Sequence, residues 1–329
     1  MQASDLSDAI RFASEAVEAT PPEDPLKEKY TVELCEVLCE RALWNADVMD
    51  ADKAVDIARQ QLKEGAMSTA TPGIRGILRR ALISSLTVDY RLTGKEEYVN
   101  EALRELGFAL QYLSGETPVA QKLFGPLRKA YADAGAEGIV LPSLESPDPF
   151  QPFFDCLLFL GEELFSSFQK FFDLFWDPDL MEQLESLTVA VISIILHYQK
   201  SPPRLSVALT HCLALTNFTT SVLEWFRGLT PKTHDVEKMG EYMEVMAGRA
   251  ETYITLGDVL WGLGREEEAR EKWEVAKRDL EEGKENIHIE MAKRCLRSGM
   301  WHYCGSKFVE FNREWLEGKE GKGRLVRKG

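Results

Sequence analysis

Histidine and cysteine are the residues of this chain best suited to nucleophilic or metal chemistry, and their spacing argues against both. The five histidines, His197, His211, His234, His288 and His302, are scattered, and no HExxH helix, nucleophile elbow or phosphate loop accompanies them. His211-Cys212 and His302-Tyr303-Cys304 put imidazole beside thiol. A catalytic dyad, however, joins residues that meet in space from distant parts of a sequence, so adjacency does not make one. Cys35 and Cys39 lie four apart, on one face of a helix, where two metal ligands could sit. No second pair stands at ligand spacing, so they read as buried apolar thiols. The expectation is of no catalytic residue, no metal and no cofactor.

The elements behind these residues are helical. Strand signals are almost confined to Gly138-Ile139-Val140-Leu141, and β-branched residues elsewhere fall within helical periodicity, so the fold class is all-α. An acceptor residue followed by proline, the signature of an N-cap with proline at the first helical position, recurs at Asp24-Pro25, Thr71-Pro72 and Thr117-Pro118. The apolar pairs Ala9-Ile10, Ala54-Val55 and Ala102-Leu103 recur with it. A period near 46 is a repeat signal close to the armadillo or HEAT range, and by itself it does not choose a repeat family.

One stretch is more specific. Tyr253, Leu256, Gly257 and Leu260 follow a large-x-x-Leu-Gly-x-x-large spacing, and Ala269 with Trp273 an Ala-x-x-x-aromatic spacing. Gly264 suits the turn between them, and Glu266, Glu267 and Glu268 place acid in the first turn of the second helix. Residues 250–281 thus resemble one tetratricopeptide (TPR) repeat along its full length. Asp5-Leu6-Ser7-Asp8-Ala9-Ile10, with Thr20-Pro21 and Pro25 beyond it, resembles the long variant of that repeat. That variant occurs in fungal and bacterial signalling receptors and beside caspase-like domains, which makes a piece of a larger regulatory protein an expectation. Leu92-Thr93-Gly94-Lys95-Glu96-Glu97 echoes the Gly264 turn.

The resemblance implies a TPR-like superhelix of antiparallel hairpins with a concave peptide-binding surface. Carried onto this motif, the groove-facing positions are Glu251, Ile254, Asp258 and Trp261. Chaperone-binding members clamp a C-terminal carboxylate there with lysine and asparagine, which Ile254 and Asp258 do not supply. A mixed apolar and acidic groove instead predicts a protein or peptide partner with a basic and hydrophobic segment, unless an adjoining helix of the same chain fills it. The alternative is an all-α enzyme or binder of a hydrophobic small molecule. Asn217 to Glu224 faintly resembles the second metal motif of class I terpene synthases, but its spacing is one residue short and its second position is Phe218.

Domain organisation follows composition. The expected division is an N-terminal repeat block over 1–135, a proline-rich linker over 136–152, a helical block over 153–317 and a basic, glycine-rich disordered tail over 318–329. Residues 284–317 fit no unit well and are expected to form a closing helix pair. Ten aromatics crowd 150–176, as a core stripe or a groove for an apolar partner. The net charge of −15 excludes nucleic acid and anionic membrane as main partners. With no signal-like start, no apolar run of about 20 residues and cysteines suited to a reducing compartment, the expected location is cytoplasmic.

Overall fold

The computed structural model describes residues 3–22, 24, 26–45, 47–65, 72–112, 118–135, 138–141, 148–166, 178–229, 236–282 and 306–316, and every described element is helical. They belong to two compact units, Met1–His197 and Tyr198–Gly329. In the first, the helices are α1 (Ala3–Ala19), α2 (Leu26–Asn45), α3 (Val48–Gly65), α4 (Pro72–Thr93), α5 (Glu96–Tyr112), α6 (Pro118–Ala134) and α7 (Gln151–Ser166), with α8 (Pro178–Gln199) reaching the boundary.

The proline period becomes a helical repeat. α2, α4 and α6 begin 46 residues apart, each as the second helix of a hairpin. Asp24 supports the first of these starts by accepting the Leu26 amide at 2.9 Å. Contacts recur at the same period: Cys39 Sγ lies 3.4 Å from Ser85 Oγ, and the Tyr98 hydroxyl donates to Asp52 across 3.2 Å, 46 residues apart in both cases. Within the stack α2 packs against both α3 and α4, burying Leu38, Ala42, Ala54, Ala58, Leu82 and Leu86. Part-buried ion pairs join helices of neighbouring hairpins. Arg41 forks onto Asp50 at 2.6 and 2.7 Å, Arg59 onto Glu101 at 2.8 and 2.5 Å, and Arg79 pairs with Glu105. Such pairs add little energy when wet, but a bidentate fork fixes the register of the helices it joins.

Residues 138–141 form no strand and lie within this first unit. The Leu141 amide donates to Asn100 Oδ1 on α5 at 2.5 Å, and Ile139 and Leu141 are buried. Beyond them Phe150 and Phe153 meet edge to face at 5.8 Å, and Phe153 meets Tyr131 of α6 at 6.0 Å. Phe150, Phe153 and Phe154 are therefore core residues. The side chains of Phe159 and Phe165, and the whole of Phe168 to Trp176, lie outside the described residues, as do 142–147 and the tail.

The second unit continues from the 3₁₀ turn Pro202–Arg204 into α9 (Leu205–Leu229), α10 (Val236–Gly262), α11 (Glu266–Glu282) and the short α12 (Lys307–Phe311). α10 packs on both α9 and α11. The Thr219 and Thr252 hydroxyls meet across the α9–α10 seam at 3.2 Å. The sequence echo between the two ends of the chain is conformational: Gly94 and Gly264 both hold positive φ, 72° and 76°. Of the expected closing helix pair, only 306–316 is described.

One buried group in the first unit works against its own fold. Asp89 on α4 is fully buried beside Asp52, and burial, followed by the Asp52 charge, pushes its carboxyl up from 3.8 to about 7. Lys95 and Arg59 pull it down without offsetting this. A carboxyl whose folded value is raised binds its proton more tightly folded than unfolded, so stability is lost as pH rises from about 4 through about 7. The isosteric Asp89→Asn chain should be more stable than the parent in urea at pH 8 and should lose that part of the pH dependence, as followed by urea unfolding between pH 4 and 8.

Candidate functional site

The hairpin α10–α11 carries the four groove positions and is built around one close approach. An added Cβ on Gly257 would lie 2.2 Å from Trp273 Nε1 and 2.4 Å from its Cδ1, so only glycine lets the ring in. Ala269, Leu256 and Leu260 are buried around that contact. The turn closes as a Schellman motif: the Arg265 amide donates to the Leu260 carbonyl and the Gly264 amide to the Trp261 carbonyl, both at 2.9 Å. Arg249 and Asp279 tie the far end of the hairpin with a buried fork at 2.8 and 2.5 Å. Burial raises the Asp279 carboxyl, and the Arg249 hydrogen bonds oppose the rise.

The four positions diverge in environment. Ile254 is 1% exposed and belongs to the core. Glu251, one turn earlier, is half-buried. Asp258 and Trp261 meet the same object, a segment of the chain itself at 306–316. Asp258 accepts the Ser306 hydroxyl on Oδ2 at 2.5 Å and the Phe308 amide on Oδ1 at 3.1 Å. Ser306 occupies the N-cap position of α12 without capping it, so a carboxylate from α10 satisfies donors that the short helix leaves open. Burial pushes the Asp258 carboxyl up to about 7, while the Ser306 and Phe308 bonds hold it from rising further.

Trp261 supplies the apolar half of the contact. It stacks on Trp273 at 5.6 Å, and Phe311 tilts against it at 4.6 Å. Phe308 meets Trp273 edge-on at 6.3 Å, and Trp315 meets Phe308 likewise at 6.4 Å. The rim comes from α11. The Arg270 guanidinium lies 5.5 Å from the Trp261 ring and 4.9 Å from Phe311, Lys277 lies 5.6 Å from Trp315, and Glu281 accepts the Trp315 indole N–H at 3.0 Å. Sequence reasoning placed the groove on the first helix alone and missed this second-helix rim. The signal was the stripe Arg270, Lys277, Glu281, which shares one face of α11 with the motif's Trp273.

A twin of the packing device also went unread. Leu103, Leu106, Gly107 and Leu110 on α5 repeat the large-x-x-Leu-Gly-x-x-large spacing, and a Cβ on Gly107 would meet Tyr131 Cδ1 of α6 at 2.6 Å. The Tyr131 hydroxyl donates to the Leu103 carbonyl at 2.5 Å, and all three leucines are buried. The pairing with Ala102-Leu103 used position 103 only to mark the repeat period.

The other candidates are committed elsewhere. Burial raises the Cys35 and Cys39 thiols, Cys39 to about 12, and they point to the Ala54 carbonyl and the Ser85 hydroxyl. Glu224, the last residue of the terpene-synthase-like stretch, is exposed and accepts Arg227 at 2.8 Å, and the Ser221 hydroxyl donates to the Asn217 carbonyl. Among the described residues no group of three or more His, Cys, Asp or Glu is placed to hold a metal ion, and no helix is long and apolar enough to cross a membrane. No family model, curated protein or solved structure matches the chain.

The glycine contact can be tested by a double-mutant cycle in urea. Gly257→Ala should cost about 1–3 kcal/mol by overpacking. In a chain already carrying Trp273→Leu the same change should cost distinctly less, because the ring it strikes is gone.

Proposed function

We propose that this chain is a non-catalytic interaction module of the tetratricopeptide type, which recognises a short amphipathic helix or peptide on the α10–α11 hairpin. What supports the family reading is the glycine-under-aromatic device, found at Gly257 with Trp273 and again at Gly107 with Tyr131. The observation that carries the binding reading is the docking of 306–316 on Asp258 and Trp261. A carboxylate that caps a foreign helix and an indole that stacks on its aromatic residue are the two parts of helix-in-groove recognition, direction and anchor.

On this reading the 306–316 segment is a ligand in cis. It shows the chemistry the face accepts: open amides at the helix start, then Phe308, Phe311 and Trp315 along one stripe. Arg270 and Lys277 sit over aromatic rings, so an external partner is expected to bring aromatic residues to them. Glu251, half-buried a turn away, adds acid beside the apolar face and suits a basic residue flanking the helix. A partner of that kind competes with the chain's own segment, which makes the module regulatory.

The test uses a labelled synthetic peptide of residues 304–317 and the full chain carrying Phe308→Ser and Phe311→Ser, read by fluorescence anisotropy. The peptide should bind the variant at least about tenfold more tightly than the parent, a difference of about 1.4 kcal/mol. Adding Trp261→Ala to the variant should remove binding. Equal binding to parent and variant, or binding indifferent to Trp261, refutes the assignment.

A further inference from the structure

The contact that seats residues 306–316 on α10 rests on one carboxyl and two kinds of donor. Asp258 Oδ1 accepts the Phe308 amide at 3.1 Å, and its Oδ2 lies 2.5 Å from the Ser306 hydroxyl. An amide N–H can only donate, whereas a hydroxyl rotates and serves as donor or acceptor. Both bonds therefore survive protonation of the carboxyl: Oδ1 goes on accepting from Phe308, and a proton on Oδ2 is given to Ser306 Oγ. The ionised carboxyl makes the stronger bonds, but it must carry its charge out of water when the segment covers it. Its neighbours do little to balance that charge. From α12 the Lys307 amide and then its ammonium pull the carboxyl down, and that ammonium donates to Glu310 at 2.6 Å. From α9 the facing titratable group among the described residues is Cys212, a buried thiol raised by burial and by the Asp258 charge, so it stays neutral. On α11 the charges of Arg270, Lys277 and Glu281 are engaged with Trp261, Phe311 and Trp315.

We propose that docking of 306–316 is coupled to uptake of one proton by Asp258, which makes the segment a pH-dependent cover of the α10–α11 face, shut in acid and loosened as the pH rises. The hydrogen bonds to the carboxyl come from the segment, so undocking returns Asp258 to water and to its ordinary range. Burial, the largest influence on the docked carboxyl, raises it from 3.8 to about 7 against the opposing pull of Ser306, Phe308 and Lys307. A group whose value is higher docked than undocked favours docking fully below about 4 and loses that contribution as the pH rises through about 7. Neutral pH lies at the upper edge of this window, where the cover is loosest. The regulatory meaning rests on the interaction-module reading above, in which an outside helix competes with the segment, and the proton linkage itself does not.

The experiment measures binding of the labelled 304–317 peptide to the full chain carrying Phe308→Ser and Phe311→Ser, from pH 5 to pH 8 at constant ionic strength. Affinity should fall about tenfold per pH unit up to about pH 7 and then level off, about a hundredfold in all. Adding Asp258→Asn should abolish that dependence and tighten binding at pH 8, because the amide accepts from Phe308 and donates to Ser306 as the neutral carboxyl does. Affinity that is flat or rises with pH, or weaker binding at pH 8 on adding Asp258→Asn, overturns the linkage. A second measurement needs no peptide: hydrogen exchange of 306–316 in the unaltered chain, corrected for the intrinsic rate. Protection should fall about tenfold between pH 6 and pH 8, and Asp258→Asn should remove the fall. Equal protection at both values overturns the proposal even where the peptide fails to bind in trans, a failure that counts against the interaction-module reading alone. Binding that requires Trp261 but ignores pH leaves that reading standing and refutes this one.

Discussion

An aromatic ring seated against a glycine sets how closely the two helices of a hairpin can approach, and the rest of each unit is arranged around that spacing. Gly257 admits Trp273 where any side chain would collide with it, and Gly107 does the same for Tyr131. The consequence is directional. Once Trp273 is inside the α10–α11 seam, its outer face is left beside Trp261, one turn further along α10, and the two indoles form a platform at 5.6 Å. Phe308 and Phe311 land on that platform, and Asp258 lies on the same face of α10 to receive the start of α12. The packing requirement and the surface that seats residues 306–316 are thus two sides of one ring.

How much of this could be read from the sequence depends on the range of the interaction. The 46-residue period was legible because proline and its preceding acceptor mark helix starts locally, and the structure begins α2, α4 and α6 at that interval. The Gly264 turn was legible for the same reason, since positive φ is written in one residue. Gly107 was missed although its leucine frame is intact, because a longer connection separates it from its aromatic partner, and the 16-residue step from Gly257 to Trp273 becomes 24 residues from Gly107 to Tyr131. Spacing within a helix is fixed by its turn; spacing across a loop is not.

The groove positions show the limit more sharply. Periodicity put Glu251, Ile254, Asp258 and Trp261 on one stripe of α10, and a stripe says nothing about what covers it. Ile254 lies in the core, whereas Asp258 and Trp261 face a segment nearly 50 residues downstream whose sequence matches no repeat unit. A cap supplied from another helix leaves no local signature, because the helix it serves shows only Ser306, a residue suited to capping itself. The rim residues Arg270, Lys277 and Glu281 look like an ordinary solvated face until the aromatic residues they cover are in place.

The two units also handle buried carboxylates differently, and the contrast locates where each is complete. Burial drives Asp258 and Asp89 to the same value, about 7. Asp258 recovers part of that cost through donors from Ser306 and Phe308, so its burial is explained by the segment that encloses it. Asp89 faces the carboxyl of Asp52, whose charge raises it further, and Lys95 and Arg59 offset only part of that cost, so the packing of α3 and α4 holds it there. A helix stack rich in apolar contacts can carry one such group, since a single unfavourable site is small against the burial of Leu82, Leu86, Val99 and Leu106 in α4 and α5.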